Sequence, residues 1–272
     1  MKQLIVGLLL CAFSSAQSAF EHMAHGSSTI AMGGTSSGVL NNPWAAFCNP
    51  GSLSTLESRT LSLYYSPQPF GLRELARGSF SYVEPLTIGT VAVSGSRYGF
   101  DLYREVDVQL SYGRGINDMF SIGGSIHYYH LTIEKYGSAS AMGADLGLLA
   151  RVTDEVQWGF AAFNVNGPSI GSSREKLPQV FVTGISYAPT SDAVLVADLE
   201  KDIRYAVELH VGVQYSPLEV LALRAGTISE PSVLSVGLGI HYSLIRLDYA
   251  FTNHSDLGAT HHISLSLSFG DH

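Results

Sequence analysis

The stretch ISLSLSF, Ile263 to Phe269, alternates apolar and hydroxyl residues without a break. Successive side chains of an extended strand point to opposite faces. Ile263, Leu265, Leu267 and Phe269 therefore share one face, and Ser264, Ser266 and Ser268 the other. The same period recurs along the chain. EVDVQLSY sets Val106, Val108, Leu110 and Tyr112 against Glu105, Asp107, Gln109 and Ser111. VELHVGVQY sets Val207, Leu209, Val211, Val213 and Tyr215 against Glu208, His210, Gly212 and Gln214, and IRLDYAFT sets Ile245, Leu247, Tyr249 and Phe251 against Arg246, Asp248, Ala250 and Thr252. About fourteen such runs follow Arg59, at 59–66, 75–83, 87–97, 103–114, 119–133, 139–152, 155–165, 178–188, 192–201, 204–215, 218–228, 232–242, 244–253 and 260–269; 192–201 alternates least cleanly.

Alternation alone does not say whether the apolar face meets protein or lipid, because a soluble sheet also buries one face. Composition and loop lengths decide. Only 14% of the 272 residues are Asp, Glu, Lys or Arg, against about 25% in soluble domains, and the chain carries 28 Gly, 14 Tyr and 12 Phe. A soluble sandwich needs more charge than this on its outer face and in its loops. An even number of runs with apolar residues outward and polar residues in the lumen is the pattern of a single-chain bacterial barrel. The connections are expected to sort by side. Glu84-Pro85, Asn117-Asp118, Thr153-Asp154, Pro189-Thr190-Ser191, Ser216-Pro217 and Ser243-Leu244 read as tight turns, whereas Pro67 to Glu74, Asn166 to Leu177 and Asn253 to Ala259 read as longer loops on the other side. The fold class is therefore all-β: a transmembrane, antiparallel, up-and-down barrel of about 14 strands in the bacterial outer membrane, with membrane lipid as its first partner. A formal net charge of −8 argues against nucleic acid as another.

Residues 1–19 read as a secretory signal peptide, with Lys2 ahead of the apolar run Leu4 to Phe13 and small residues from Ser14 to Ala19. The run is too short for a membrane-spanning helix. Cys11 follows Leu10 inside it, not the small residue a lipoprotein signal would place there. Cys48 is the one cysteine after it, which leaves no internal disulfide. Residues 20–58 do not alternate. Gly33-Gly34 and Asn49-Pro50-Gly51 are turn formers, and Val39, Leu40, Trp44, Ala45, Ala46 and Phe47 between them are too apolar for a solvated tail. This segment is expected to be a hatch, or plug, in the lumen of a barrel spanning 59–272; the alternative is a periplasmic arm that orders on a partner.

Two blocks resemble a known family. AMGGTSSGVLNNPWAAFCNPGSL, Ala31 to Leu53, looks like the N-terminal pattern of the PorV/PorQ outer-membrane proteins, in the wider FadL-like superfamily of long-chain fatty acid transporters. LDYAFTNHSDLGATHHISLSLSFG, Leu247 to Gly270, resembles that family's closing hairpin, and YSPLEVLALRAG, Tyr215 to Gly226, is also similar. The hatch motif falls on Gly33, Gly34, Asn42, Pro43, Asn49, Pro50 and Gly51. Departures are Gly51-Ser52 where the pattern has Ala-Gly, Asn42 for Asp, and Cys48 at a position often aromatic. The resemblance implies a fourteen-stranded barrel with an internal hatch.

His127, Glu208, His210, Arg224, His241, Arg246 and Asp248 are candidates for the lumen lining, where opposite charges would pair across strands. A metal site needs convergent ligands at set spacing, and none is visible. No nucleophile motif ties Ser, His and acidic residues into a triad. No catalytic residue, metal or cofactor is assigned, and the chain is not expected to be an enzyme. Two functions remain. One is a secretion or surface-assembly role of the PorV/PorQ kind, with machinery of type IX secretion as partner. The alternative is passive FadL-like transport of small hydrophobic molecules across the outer membrane.

Overall fold

The computed structural model describes residues 19–270. All of the signal-peptide segment except Ala19 lies outside them. Fourteen strands form a closed barrel: β1 Arg59–Ser66, β2 Arg77–Leu86, β3 Gly89–Gly99, β4 Tyr103–Gly115, β5 Phe120–Ile133, β6 Gly137–Arg151, β7 Val156–Phe163, β8 Val180–Thr190, β9 Ala193–Asp202, β10 Val207–Leu218, β11 Leu221–Ile228, β12 Val233–Tyr242, β13 Ile245–His254 and β14 Gly258–Phe269. Every strand pairs antiparallel with its sequence neighbours, and β14 closes on β1 from Arg59↔Phe269 to Tyr65↔Ile263. Closure leaves no edge, so every strand can satisfy its backbone hydrogen bonds inside hydrocarbon.

The faces follow the alternation. In β14, Ile263 is 50% exposed while Ser264 and Ser266 are 1% and 2% exposed. The apolar face of ISLSLSF thus looks out of the barrel. In β10, Val207, Leu209, Val211, Val213 and Tyr215 are exposed and His210 is buried. Hydroxyls meet across the inner face: Ser62 and Ser266 lie 2.8 Å apart over the closing seam, Ser81 and Ser94 2.9 Å, and Ser111 and Ser125 2.8 Å. Each such cross-strand pair contributes about 0.2–1 kcal/mol. An outward apolar band predicts a depth-dependent cost for charge. Val213→Arg, midway along β10, should destabilise folding into lipid vesicles by about 2–4 kcal/mol, and Leu209→Arg, near the strand's end, by about 0–1 kcal/mol. Equal penalties would displace the band from this level.

The turns depart from expectation in one consistent way. The strands run through Pro85, Pro189 and Pro217, and the chain reverses at 87–88, 191–192 and 219–220 instead. Proline is tolerated at a strand's last rungs or in a bulge, where its missing N–H breaks no ladder bond. The register shifts beside two of them, between Tyr187 and Thr190 and between Tyr215 and Leu218. The remaining turns at this end are 116–119, 152–155 and 243–244. At the other end only 67–76 and 164–179 are long, the latter carrying a small ribbon of Ser169–Ile170 and Glu175–Lys176. Connections 100–102, 134–136, 203–206, 229–232 and 255–257 are short, so the sorting of loop lengths rests on two loops.

Residues 19–58 fold as α1 Ser27–Ala31, α2 Ala45–Cys48 and a 3₁₀ turn Pro50–Thr55. Trp44, Ala45 and Leu53 are fully buried, packed against inward-facing residues of strands on several sides of the barrel. α1 ends because Gly33 and Gly34 both take positive φ, 72° and 82°. Gly34 N donates to Thr29 O and Gly33 N to Ile30 O, both at 3.0 Å, the paired bonds of a Schellman ending. The 3₁₀ turn starts with Pro50, which has no N–H to leave unpaired.

Candidate functional site

The side chains that hold the N-terminal segment are mostly polar and come from separate strands. Asp198 on β9 accepts from Ser36 N at 2.8 Å, Ser37 N at 3.1 Å and Ser37 Oγ at 2.7 Å. Its carboxylate reaches across the inner face because the neighbouring β8 position is Gly184, where a Cβ would fall 1.8 Å from Asp198 Oδ1. Gly33 O lies 2.7 Å from His210 Nδ1 on β10. Asn49 Nδ2 donates to Ser37 O at 2.7 Å and to Leu148 O on β6 at 3.0 Å, while its Oδ1 accepts from Gly51 N at 2.9 Å. Asn42 works inside the segment: its Oδ1 accepts from Trp44 N at 3.0 Å and its Nδ2 donates to Thr29 Oγ1 at 3.4 Å. Pro43 and Gly51 are buried beside these residues. The motif residues thus shape and seat the segment.

The candidate lining residues all occupy inward positions, but they form three groups. Arg224, His241, Arg246 and Asp248 come together near the tight-turn end: Arg224 Nη1 donates to Asp248 Oδ1 at 2.8 Å, Arg246 Nε to Asp248 Oδ2 at 3.1 Å, and His241 Nε2 lies 3.9 Å from Asp248 Oδ1. Glu208 and His210 sit nearer the loop end, with His210 Nε2 at 3.6 Å from Glu208 and 3.9 Å from Glu200. His127 stands apart on β5, with Nδ1 3.1 Å from Asp107 and Nε2 2.6 Å from Asp145. Asp107, Asp145, Asp198, Glu200 and Gln214 were legible as inward positions by the same alternation, yet only the register shows that they are partners. Among the described residues no group of His, Cys, Asp or Glu has an arrangement that could hold a metal ion.

Between the segment and the wall lies a cavity of about 250 Å³. Met23, Ile30, Phe47, Val182, Ile228 and Val233 give it apolar walls, and Phe70 from loop 67–76 and His254 at the end of β13 put it at the loop end. Arg77, Asp198, Glu200, Glu208, His210 and His262 supply polar points. A smaller cavity of about 80 Å³ lies toward β3–β7 and shares His22, Met23 and Phe47 as a common wall. His25 stacks on Phe47 with ring centroids 4.0 Å apart. Burial, and then the Arg77 guanidinium, push the His25 imidazole down to about 3, so it stays neutral and serves as an aromatic surface.

No family model and no curated protein sequence matches the chain. Solved structures do. The toluene transporter TbuX of Ralstonia pickettii superposes with a TM-score of 0.70 at 14% identity, covering 92% of this chain and 100% of that one. The monoaromatic hydrocarbon channel CymD gives 0.72 at 15% identity over 93% and 100%. A FadL homologue of Pseudomonas aeruginosa gives 0.66 at 14% identity over 92% and 99%. The fold is that of the FadL-type outer-membrane barrels. At these identities the likeness is one of architecture: strand number, closure and strand course. None of these three is described as a PorV/PorQ protein. The FadL-type fold also frames the lumen geometry, because a closed barrel with an internal segment offers molecules only the cavities between segment and wall.

Proposed function

We propose that this chain is a passive outer-membrane channel for small hydrophobic molecules, with residues 20–58 acting as its hatch. The observation that carries this reading is the cavity of about 250 Å³ between the N-terminal segment and the wall at the loop end. An apolar cavity of about 150 Å³ holds benzene, so there is room here for a one-ring hydrocarbon. The polar points around it suit a substrate that carries one polar group beside an apolar body. Similarity to barrels described as toluene and monoaromatic hydrocarbon transporters supports the same class. The secretion role expected of a PorV/PorQ-type protein would need a docking surface at the loop end, where most connections are three or four residues.

In cells lacking other aromatic channels, this barrel is expected to speed uptake of radiolabelled toluene severalfold over cells with an empty vector. Ile228→Trp, which narrows the cavity, should remove most of that gain. Deleting 20–58 should raise conductance in planar bilayers, because the lumen would then be open. Uptake no faster than in vector cells, with the barrel present in the outer membrane, would sink the transport reading. Unchanged conductance after the deletion would show that wall side chains, and not the segment, close the lumen.

A further inference from the structure

The outer wall carries a second feature that transport through the lumen does not use. Strand register places Tyr65, Gly78, Arg97, Val106, His130 and Ser140 in one outward row across β1–β6, near the loop end. One row closer to the loops, Arg104 stands between Gly99 and Thr132. One row further from them, Leu63, Phe80, Gly95, Val108, Tyr128 and Met142 continue the apolar band. Two guanidiniums and an imidazole thus crown an apolar wall.

The wall is hollow beneath them. Gly78 and Gly95 are adjacent outward positions without side chains, and around them lies a hollow of about 600 Å³ bounded by Leu63, Tyr65, Phe80 and Val108. The strand pairing beneath it runs without a register shift, so the hollow lies on the outside of the wall. A second hollow of about 440 Å³, formed by Arg97, Arg104, Val106, Val108, Tyr128 and His130, shares Arg97, Val106 and Val108 with the first.

Among the described residues the two guanidiniums have no anionic partner. Among the same residues the side chains of Arg97 and Arg104 make no hydrogen bond or ion pair, and the His130 ring meets only the Ser140 hydroxyl, at 2.9 Å, and the Tyr128 ring. Two rim arginines elsewhere do have an acidic partner: Arg59 with Glu84 at 2.8 Å and Arg204 with Asp202 at 2.6 Å. A guanidinium facing lipid is tolerated near the interface and becomes favourable when an anion meets it; its planar fork matches phosphate oxygens.

We propose that this face binds a membrane lipid with a phosphorylated headgroup. The phosphate lies against Arg97 and Arg104, and the acyl chains run down the hollow at Gly78 and Gly95 between Phe80 and Val108. The two parts of the surface demand both parts of the ligand: a free anion would leave the apolar hollow empty, and an uncharged lipid would leave the cations unmatched.

The test is native mass spectrometry of the full barrel in detergent with dioleoyl phosphatidic acid, with the diacylglycerol of the same chains, and with phosphatidic acid in the presence of inorganic phosphate. Phosphatidic acid should bind at least tenfold more tightly than diacylglycerol. R97Q/R104Q should erase that difference, whereas R114Q, an exposed arginine at the other end of β4, should leave it intact. Gly78→Leu fills the hollow at a position where a Cβ meets nothing closer than 3.6 Å; it should weaken phosphatidic acid at least fivefold with both arginines in place. It also serves as the test if R97Q/R104Q lacks the heat-modifiable gel migration of a folded barrel. Equal binding of the two lipids to the wild-type barrel, or undiminished phosphatidic acid binding in R97Q/R104Q or Gly78→Leu, would overturn the proposal. So would full displacement of the lipid by equimolar inorganic phosphate, which would mark a site for soluble anions.

Discussion

Cys48 will react with a bulky, polar thiol reagent at least tenfold faster in the variant Gly159→Val/Gly226→Val than in the wild-type protein. The N-terminal segment touches the wall where the wall has no side chains. A Cβ at Gly159 on β7 would lie 1.9 Å from Ser37 O, and one at Gly226 on β11 would lie 2.2 Å from Met32 C. Both clashes are with backbone, which no rotamer change relieves. Overpacking of this kind costs about 1–3 kcal/mol per site. It is set against seating bonds worth about 0.5–1.5 kcal/mol each, somewhat more where the Asp198 carboxylate accepts. The outward side chains of β7 and β11 are untouched, so the barrel should remain in the membrane while the segment loosens.

Cys48 reports on that loosening because its thiol is buried and burial pushes it up to about 11. At pH 8 such a thiol is roughly 0.1% thiolate, whereas an ordinary cysteine near 8.5 is about a quarter ionised, and the thiolate is the reactive form. The sign of the shift also fixes the wild-type pH profile: labelling should rise about tenfold per pH unit from 8 toward 11, and the profile of the loosened variant should level off sooner. Unchanged labelling, with the variant folded, would mean that the segment has enough slack to accept two valines.

Asp248→Ala is expected to destabilise the barrel by about 3–5 kcal/mol, the usual cost of stranding a buried charge. The Arg224 side chain is fully buried, with Nε on Gln214 Oε1 at 2.7 Å, Nη1 on Asp248 and Nη2 already without a hydrogen bond. Removing the carboxylate leaves that guanidinium facing Arg246 across the same space. Arg246→Ala should cost far less, because its side chain is partly exposed and Asp248 keeps Arg224. The double variant Arg224→Met/Asp248→Leu should recover most of the loss, since a well-packed apolar pair often replaces a buried ion pair at little cost. Urea titration of folding into vesicles reads all three. A penalty below about 1 kcal/mol for Asp248→Ala would show that lumen water screens the cluster.

Much of this molecule could be read from its residues. The two-residue period is a local property of the pleated backbone: it needs no partner strand, and it assigned Leu209 outward, His210 inward and all seven lining candidates to the lumen. It also yielded fourteen strands, because each run is bounded by its own loss of alternation. The turns were less legible. Proline favours turns, yet Pro85, Pro189 and Pro217 lie within strand ends, and the reversals begin two residues beyond each of them. A two-residue slip leaves every face unchanged but moves the strand's rows by about 7 Å, which alters every cross-strand partner.

For that reason the face of each residue was fixed by the sequence, and its company by the tertiary structure. Arg224 on β11 meets Asp248 on β13 across a whole strand, because Gly239 on β12 leaves the gap; a Cβ there would come 2.5 Å from Asp248 Oδ1 and 2.7 Å from Arg224 Nη1. His127 falls between Asp107 and Asp145 only at the register that β4, β5 and β6 adopt. The place of residues 19–58 is likewise tertiary: their apolar, turn-rich composition demands burial, but close backbone contact at Gly147 and Gly159 on the neighbouring strands β6 and β7, and at Gly226 on β11, decides where they are buried. Alternation is settled between neighbouring residues, whereas these contacts exist only once the barrel has closed around the segment.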